Sequence, residues 1–204
     1  MSKYMLVFLL FSVLNFMSTF AQPIKLGIGV LHCFKNSSTD AGIGAEPFAE
    51  YQITDKISVR GVAGLHLSSF KGRYVMVGDS YRLTHYYGMV MYRPIKNDIE
   101  PYIGLGLGYF LPMDDGGGNA NIVDIYRLTS VEFDNNWGYN ITAGADFFPG
   151  KFFHCMLELN YTIINTNYSY KLENELVYPT QKFKYTDKIN LSYLAAKLNF
   201  VFEL

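Results

Sequence analysis

The sequence predicts an all-β fold, namely an eight-stranded antiparallel up-and-down transmembrane β-barrel preceded by a cleaved signal peptide. Three observations predict it. Apolar residues alternate with polar or small residues along eight segments, as in strands that face lipid on one side and a lumen on the other. After the N-terminal leader, no apolar run reaches the roughly 18 residues of a helical membrane span. Charged residues make up only 17% of the 204 residues, below the roughly 25% of soluble domains, and aromatic residues also reach 17%.

The N-terminal leader has the three parts of a secretory signal peptide. Lys3 precedes an apolar run over residues 5–17, and Thr19 and Ala21 place small side chains at the two positions that a signal peptidase reads. The run is too short for a membrane span, which needs about 20 apolar residues. We therefore expect cleavage after Ala21, so that residues 22–204 form one barrel domain.

Eight segments carry the two-residue alternation of β-strands. They comprise residues 24–34, 41–53, 57–69, 81–93, 101–111, 137–148, 153–163 and 191–204. The pattern is clearest where Ile103, Leu105 and Leu107 alternate with glycine. The segment 81–93 is apolar at both parities, so its pattern does not assign the face that points outward.

The connections between the segments alternate in length. Short links comprise residues 54–56, 94–100 and 149–151, and longer links comprise residues 35–40, 71–80, 112–136 and 165–190. A bacterial outer-membrane barrel has short periplasmic turns and longer outer loops. The lengths therefore predict a barrel in the outer membrane of a Gram-negative cell, with both chain ends on the periplasmic side and the long loops at the cell surface.

The charged residues of the candidate strands share the face opposite the apolar one. They are Lys25, Glu46, Glu50, Arg60, Asp146, Glu158, Lys197 and Glu203. A soluble barrel that carries a lipid-like ligand would instead line its interior with apolar residues. Because buried charges need partners, we expect these side chains to form an ionic network across the lumen, to which Arg93 or His66 could add positive charge. The barrel is then closed, and the chain is not a porin.

Three of the segments resemble strands of a known superfamily. Residues 101–110, 137–148 and 191–204 resemble the corresponding strands of the small outer-membrane barrel superfamily, which includes the OmpX-like proteins and the transmembrane domain of OmpA. The resemblance covers residues 24–204 and carries no catalytic signature. It implies a structural role, or a role in adhesion or binding that the surface loops carry.

The resemblance also implies partners. They are outer-membrane lipid and lipopolysaccharide, the barrel assembly machinery and periplasmic chaperones during biogenesis, and an extracellular ligand held by the loops 112–136 and 165–190. We expect a monomer. Members of the superfamily usually end in an aromatic residue that the assembly machinery reads; Phe200 and Phe202 fit this pattern, whereas Leu204 departs from it.

One short motif supports an alternative function. His66 and Ser68 resemble the His-x-Ser motif of lipid A deacylases, barrels of this size in which an imidazole activates a serine against an acyl ester. In those enzymes Asn follows the serine, whereas this chain has Ser69, and no acidic partner can be assigned. Two polar side chains that face a lumen explain the same residues. We therefore expect no enzymatic activity and keep an outer-leaflet lipid A-modifying enzyme as the alternative.

The sequence predicts neither a metal site nor another cofactor. His32, His66, His85 and His154 occur singly, without the spacing of metal ligands. Nucleic acid is not expected as a partner, because the formal net charge is -1 and provides no basic surface. Strand register places the two cysteines too far apart for a disulfide bond.

Overall fold

The computed structural model describes residues 23–35, 39–69, 80–114, 122–123, 126–174 and 181–204. The predicted signal peptide lies outside these residues. The strands are β1 (Ile24–Cys33), β2 (Gly42–Gln52), β3 (Ile57–Ser69), β4 (Ser80–Tyr92), β5 (Ile99–Asp114), β6 (Ile122–Val123), β7 (Tyr126–Phe133), β8 (Asn136–Phe147), β9 (Phe153–Ile163), β10 (Asn165–Asn174), β11 (Gln181–Asn190) and β12 (Tyr193–Glu203). Within the described part of the chain, no helix has the length and apolar character needed to cross a membrane.

Eight of these strands close into an antiparallel barrel. The order around it is β1, β12, β9, β8, β5, β4, β3 and β2, and β2 returns to β1. All eight predicted strands are present, so the predicted fold class is confirmed. The main difference in bounds is β5, which runs from Ile99 to Asp114 because its outer part continues to pair with β4.

The barrel is apolar outside and polar inside. On the outer surface Leu105, Ile103 and Val30 are more than half exposed, whereas Lys197 and Arg60 are almost completely buried. This distribution is the reverse of a soluble protein and matches a barrel whose outer surface faces lipid. The face of β4 that the sequence left unassigned is now fixed: its odd-numbered side chains are buried, and its outward residues include Tyr86, Val90 and Tyr92.

Two glycines make room for large side chains in the lumen. A Cβ atom at Gly104 would lie 2.5 Å from the sulfur of Met91, which extends from the neighbouring strand β4. A Cβ atom at Gly64 would collide with the ring of His85 and lie 2.7 Å from Cγ of Glu46. Small residues therefore permit inward packing of bulky ones, as the narrow interior of an eight-stranded barrel requires.

The ladder between β2 and β3 is interrupted at a proline. Pairing stops after Ala45 and resumes at Phe48, so that Glu46 and Pro47 have no paired residue on β3. Proline has no backbone N–H to donate and therefore removes a ladder hydrogen bond in the middle of a sheet. The strand remains paired with β1 on its other side, where Pro47 lies opposite Ile28.

The described parts of the two longest predicted loops form one sheet. Its order is β11, β10, β7 and β6, and we call it the projecting sheet. The pairing of β10 with β11 continues the pairing of β9 with β12 in the same register, and Leu191 donates a backbone hydrogen bond to Ile164 at the junction. The pairing of β7 with β10 follows that of β8 with β9, displaced by one residue. The projecting sheet therefore extends three barrel strands beyond the barrel, at the end that carries the long loops.

Candidate functional site

The centre of the lumen holds a cluster of ion pairs around Glu158. Arg60 on β3 and Lys197 on β12 both contact its carboxylate, at 2.5 and 2.6 Å. Lys197 also lies 2.8 Å from Glu46, and the hydroxyl of Tyr102 donates a 2.8 Å hydrogen bond to Glu158. Because these residues belong to strands on different sides of the barrel, the cluster crosses the middle of the lumen.

Arg60 and Arg93 share a second carboxylate. Glu50 accepts a hydrogen bond from Nε of Arg60 at 2.9 Å and lies 2.7 Å from Nη2 of Arg93. The guanidinium of Arg60 is also 4.6 Å from the centre of the Phe48 ring, a distance that allows a cation–π interaction. The hydroxyl of Ser58 donates to Oε1 of Glu50 at 2.7 Å, the oxygen that Arg93 also contacts, so the buried carboxylate has several donors.

A third cluster lies near the short turns, at the opposite end from the projecting sheet. Lys25 contacts Asp146 at 2.7 Å and Glu203 at 3.6 Å. His154 lies 3.1 Å from Asp146. The eight charged residues predicted for the lumen are therefore all directed inward, and each contacts at least one residue of opposite charge.

Four further residues join this network, namely Arg93, Glu100, His85 and His154, of which the sequence suggests only Arg93. Arg93 joins the network, as proposed for one of the two alternative cations. Glu100 lies 3.9 Å from Arg93, and His85 lies 2.8 Å from Glu46. His85 belongs to β4, whose facing the sequence did not assign, and His154 had been treated as an isolated polar residue.

An apolar layer fills the lumen beyond the ion pairs, toward the projecting sheet. It consists of Leu31, Cys33, Tyr81, Leu83, Phe110, Ile164, Tyr168, Ile189, Leu191, Tyr193 and Ala195. Tyr168 and Ile189 belong to the projecting sheet, Ile164 and Leu191 lie at its junctions with the barrel, and Tyr193 begins β12. The base of the projecting sheet therefore packs into the mouth of the barrel. Side chains thus fill the lumen over both its charged and its apolar parts.

His66 and Ser68 lie in the lumen and do not contact each other through a hydrogen bond. The hydroxyl of Ser68 donates to the backbone carbonyl of Asp40 at 2.8 Å. Nε2 of His66 is 3.5 Å from the hydroxyl of Tyr81, and among the described residues His66 makes no ion pair. His66 therefore does not add positive charge to the ionic network of the lumen, because its position on β3 places it beside the rings of Tyr81 and Tyr193. The pair also lacks the contact by which a base activates a serine.

The two faces of the projecting sheet differ. On the face that continues the outer surface of the barrel, Lys171 contacts Glu132 at 2.7 Å and Lys182 contacts Glu173 at 2.7 Å. The hydrogen bond from Lys171 and its positive charge lower the pKa of the Glu132 carboxyl. The other face lies over the barrel mouth, and we call it the mouth face.

The mouth face carries aromatic side chains. Phe133 and Tyr168 are opposite each other on β7 and β10, with ring centres 6.4 Å apart, and Tyr168 is buried. Phe183 and Tyr185 follow on β11 with stacked rings 6.4 Å apart. Tyr185 remains 47% exposed.

Neither the cysteines nor the histidines form a site of their own. Cys33 is buried and Cys155 is half-buried, and both are free, as the strand register predicts. Across the described ranges, no three His, Cys, Asp or Glu side chains are placed to hold a metal ion.

Comparisons with known proteins agree with this architecture. A model of the outer membrane protein beta-barrel domain family matches residues 5–194. The chain is similar to the outer membrane protein OprG from Pseudomonas aeruginosa, with a TM-score of 0.69 and 16% identity over 90% of this chain and 95% of that one. It is also similar to the outer membrane protein AlkL in DMPC bilayers, with a TM-score of 0.55 and 14% identity over 90% of each chain.

A third similar structure is a major outer membrane protein from Thermus thermophilus. Its TM-score is 0.53, and its identity is 11% over 91% of this chain and the full length of that one. At these identities the likeness concerns the fold alone. A comparison with curated protein sequences gives no match.

Proposed function

The chain belongs to the outer membrane protein beta-barrel domain family and is an integral barrel of the bacterial outer membrane; from this we propose that it binds an external ligand through the mouth face of the projecting sheet, above a closed lumen. The single observation that carries the proposal is the continuation of the barrel strands into one ordered sheet that displays aromatic side chains. Exposed aromatic residues are enriched in binding surfaces, because they bury a large area and lose little conformational freedom.

The orientation is part of the proposal. We assign the projecting sheet to the cell surface and the short turns to the periplasm, because outer-membrane barrels have short periplasmic turns. The turn between β2 and β3 spans residues 53–56, whereas the projecting sheet rises from two much longer connections. An ordered sheet at the surface is a suitable platform for adhesion or for capture of a ligand.

The closed lumen supports a binding role over transport. Arg60, Glu158 and Lys197 occupy the middle of an interior that is only just wide enough for side chains in an eight-stranded barrel. The apolar layer above them leaves water little access to the ion pairs. The barrel then serves as an anchor, and the specificity lies in the projecting sheet.

Adhesion of cells to a defined surface tests the binding role. Cells with the full chain are compared with cells whose chain carries Tyr185→Ser, on wells coated with fibronectin, laminin or mucin. We expect adhesion to at least one coat above that of cells without the protein, and its loss in the variant. Lys96→Gln is the control, because Lys96 lies at the short-turn end, where it pairs with the exposed Asp55. Equal adhesion with and without the protein on all three coats would contradict the proposal.

Lipid A analysis tests the enzymatic alternative. The contacts of Ser68 and His66 support a structural role for both residues, so expression of the protein should leave the mass of lipid A unchanged. Mass spectrometry of lipid A from cells with and without the protein measures this. A mass change that His66→Ala abolishes would instead establish a lipid A-modifying enzyme.

The proposal includes the route to the membrane. A signal peptidase removes the leader after Ala21, periplasmic chaperones carry the chain, and the barrel assembly machinery reads the end of β12, where Phe200 and Phe202 face outward. The protein then acts as a monomer among outer-membrane lipids and lipopolysaccharide. Mass spectrometry of the mature protein should give an N-terminus at Gln22, and a later or earlier start would move the cleavage site.

A further inference from the structure

A polar pocket lies on the outside of the molecule, where the hairpin of β10 and β11 leaves the barrel. Its volume is about 610 Å³, and its lining includes Asn136, Asn165, Asn167, Lys188 and Asn190. Asn165 pairs with Asn190 and Asn167 pairs with Lys188 across the two strands, so these four side chains share one face. Directly opposite residues in an antiparallel pair have Cβ atoms about 5 Å apart, which brings three amides and one ammonium within reach of a single small group.

This face continues the lipid-facing surface of the barrel. Below the pocket, Leu159 and Tyr161 on β9 and Leu194 on β12 are exposed on the outer surface. The register does not change between the barrel hairpin and the projecting hairpin, so Asn165 and Asn190 follow on the same side. On the opposite face of the projecting hairpin, Thr166, Tyr168 and Ile189 are buried toward the mouth.

Aromatic side chains set the level of the pocket in the membrane. Trp137 and Tyr139 on β8 are more than 60% exposed, and the Trp137 ring lies 5.5 Å from that of Tyr109. Such exposed aromatic rings form the girdles at the membrane–water interfaces of barrels. Asn136 directly precedes Trp137, and its amide donates to the backbone carbonyl of Asn165. The pocket therefore lies just beyond the girdle, at the depth of lipid headgroups.

The lysine of the pocket differs from the other lysines of the hairpin. Lys171 and Lys184 share Glu132, at 2.7 and 3.9 Å, and Lys182 pairs with Glu173. Among the described residues, no carboxylate forms an ion pair with the ammonium of Lys188.

The acidic residues near the pocket do not neutralise that ammonium. Asp134 accepts a hydrogen bond from the amide of Asn167 at 3.0 Å and so orients that amide. Asp187 accepts the backbone N–H of Lys188 and belongs to the opposite face of the sheet. The lysine therefore remains available to an anion from the membrane side.

We propose that this pocket binds the phosphorylated sugar headgroup of an outer-leaflet glycolipid. Lys188 provides the charge for the phosphate, as lysine commonly does, and the amides of Asn165, Asn167 and Asn190 provide donors and acceptors for sugar hydroxyls. The acyl chains lie against the apolar barrel wall below. The inference rests on the proposed orientation, which puts this end of the barrel in the outer leaflet, but it does not depend on the ligand of the mouth face.

Binding of purified lipid A to the refolded mature chain in detergent tests the proposal. The single tryptophan, Trp137, directly follows the pocket residue Asn136, and its fluorescence is the readout of binding. We expect diphosphoryl lipid A to bind at least about tenfold more tightly than the same lipid after removal of its phosphates. Lys188→Gln and Asn165→Asp should each remove about tenfold in affinity, because the first removes the positive charge and the second places a negative charge beside it.

The controls separate this effect from general attraction and from misfolding. Lys182→Gln removes an exposed lysine on the same strand, outside the pocket, and should leave affinity unchanged. Asn190→Asp should also lower affinity. Because it keeps the acceptor that caps the backbone N–H of Ser192, this loss cannot result from a lost cap. A heat-dependent shift on a detergent gel verifies that each variant is folded.

Three results would overturn the proposal. The first is that the folded variants bind lipid A as tightly as the original chain does. The second is that the two forms of lipid A bind with equal affinity. The third is full competition by millimolar inorganic phosphate, which would make the pocket a site for free phosphate. Because the measurement uses detergent, it does not depend on orientation in the cell. A wrong orientation would instead appear in surface labelling of intact cells.

Discussion

Arg60 and Glu158 form an ion pair between opposite walls of the barrel. Arg60 belongs to β3 and Glu158 to β9, which are separated by three strands in either direction around the ring. The pair therefore spans a diameter, and Lys197 joins it from a third strand. A buried carboxylate shared by two cations gives the lumen a packed polar core.

The first prediction concerns the stability of this core. Glu158→Ala leaves Arg60 and Lys197 buried without their shared partner, which typically costs about 3–5 kcal/mol. We expect a correspondingly lower free energy of unfolding in urea, measured in detergent through the fluorescence of Trp137. Glu132→Ala is the matched control, because Glu132 pairs with Lys171 on an exposed face and its loss should change little. Equal destabilisation by both variants would show that the ion pairs of Glu158 contribute no more to stability than an exposed ion pair does.

A second prediction follows for conduction. In a planar bilayer the original protein should give no steady, large-conductance openings, because Arg60, Glu158 and the apolar layer fill the interior. A general porin in the same bilayer verifies that open channels are detectable. Steady, large openings from the folded, unmutated protein would make a channel the better description.

The strands could be predicted because lipid and lumen impose opposite demands on alternate residues. This is why Leu105 and Glu158 fall on the expected faces. The rule fails for β4, whose inward residues include Leu83, Met89 and Met91. The interior at these levels is apolar or mixed, so polarity no longer distinguishes the two faces, and only the pairing with β3 and β5 settles them.

The sequence predicts most of the residues that form the ionic network, but it does not predict which of them contact each other. The sequence identified Lys197 and Glu46 as inward residues, yet their contact depends on the tilt of the strands, which brings distant positions to one level. His85 and His154 were missed because a single histidine carries no pattern. The pairing of β7 with β10 was missed, because it joins segments far apart in the chain.

The cysteines provide a third prediction. Cys33 lies in the apolar layer on β1 and Cys155 lies on β9 near the short turns, so both should remain reduced thiols in the oxidising periplasm. Alkylation of the unreduced, unfolded protein with a maleimide should modify both, as counted by mass spectrometry. A mass that reports an internal disulfide would mean that the strand register is wrong.

A fourth prediction concerns pH and the outer face of the projecting sheet. The hydrogen bond from Lys171, its charge and the nearby Lys184 lower the pKa of Glu132, so this carboxylate favours the folded state above its unfolded pKa of about 4.5 and loses that contribution as the pH falls through its folded pKa. Lys171→Met should raise the pKa of Glu132 toward 4.5, measured by the carboxyl carbon shift in NMR. High salt should reduce the effect, because the pair is exposed. An unchanged pKa in the variant would place the cause elsewhere.

The last prediction tests which end of the barrel faces the outside of the cell. In a Cys33→Ala, Cys155→Ala background, Lys182→Cys places a thiol on an exposed position of the projecting sheet, and Asp55→Cys places one on the turn between β2 and β3. Both positions are largely exposed, so their intrinsic reactivity is matched. We expect a maleimide that cannot cross the outer membrane to label the first variant on intact cells, and the second only after the membrane is permeabilised. The reverse pattern would place the projecting sheet in the periplasm. The mouth face could then not meet an external ligand, and the polar pocket could not meet the outer leaflet.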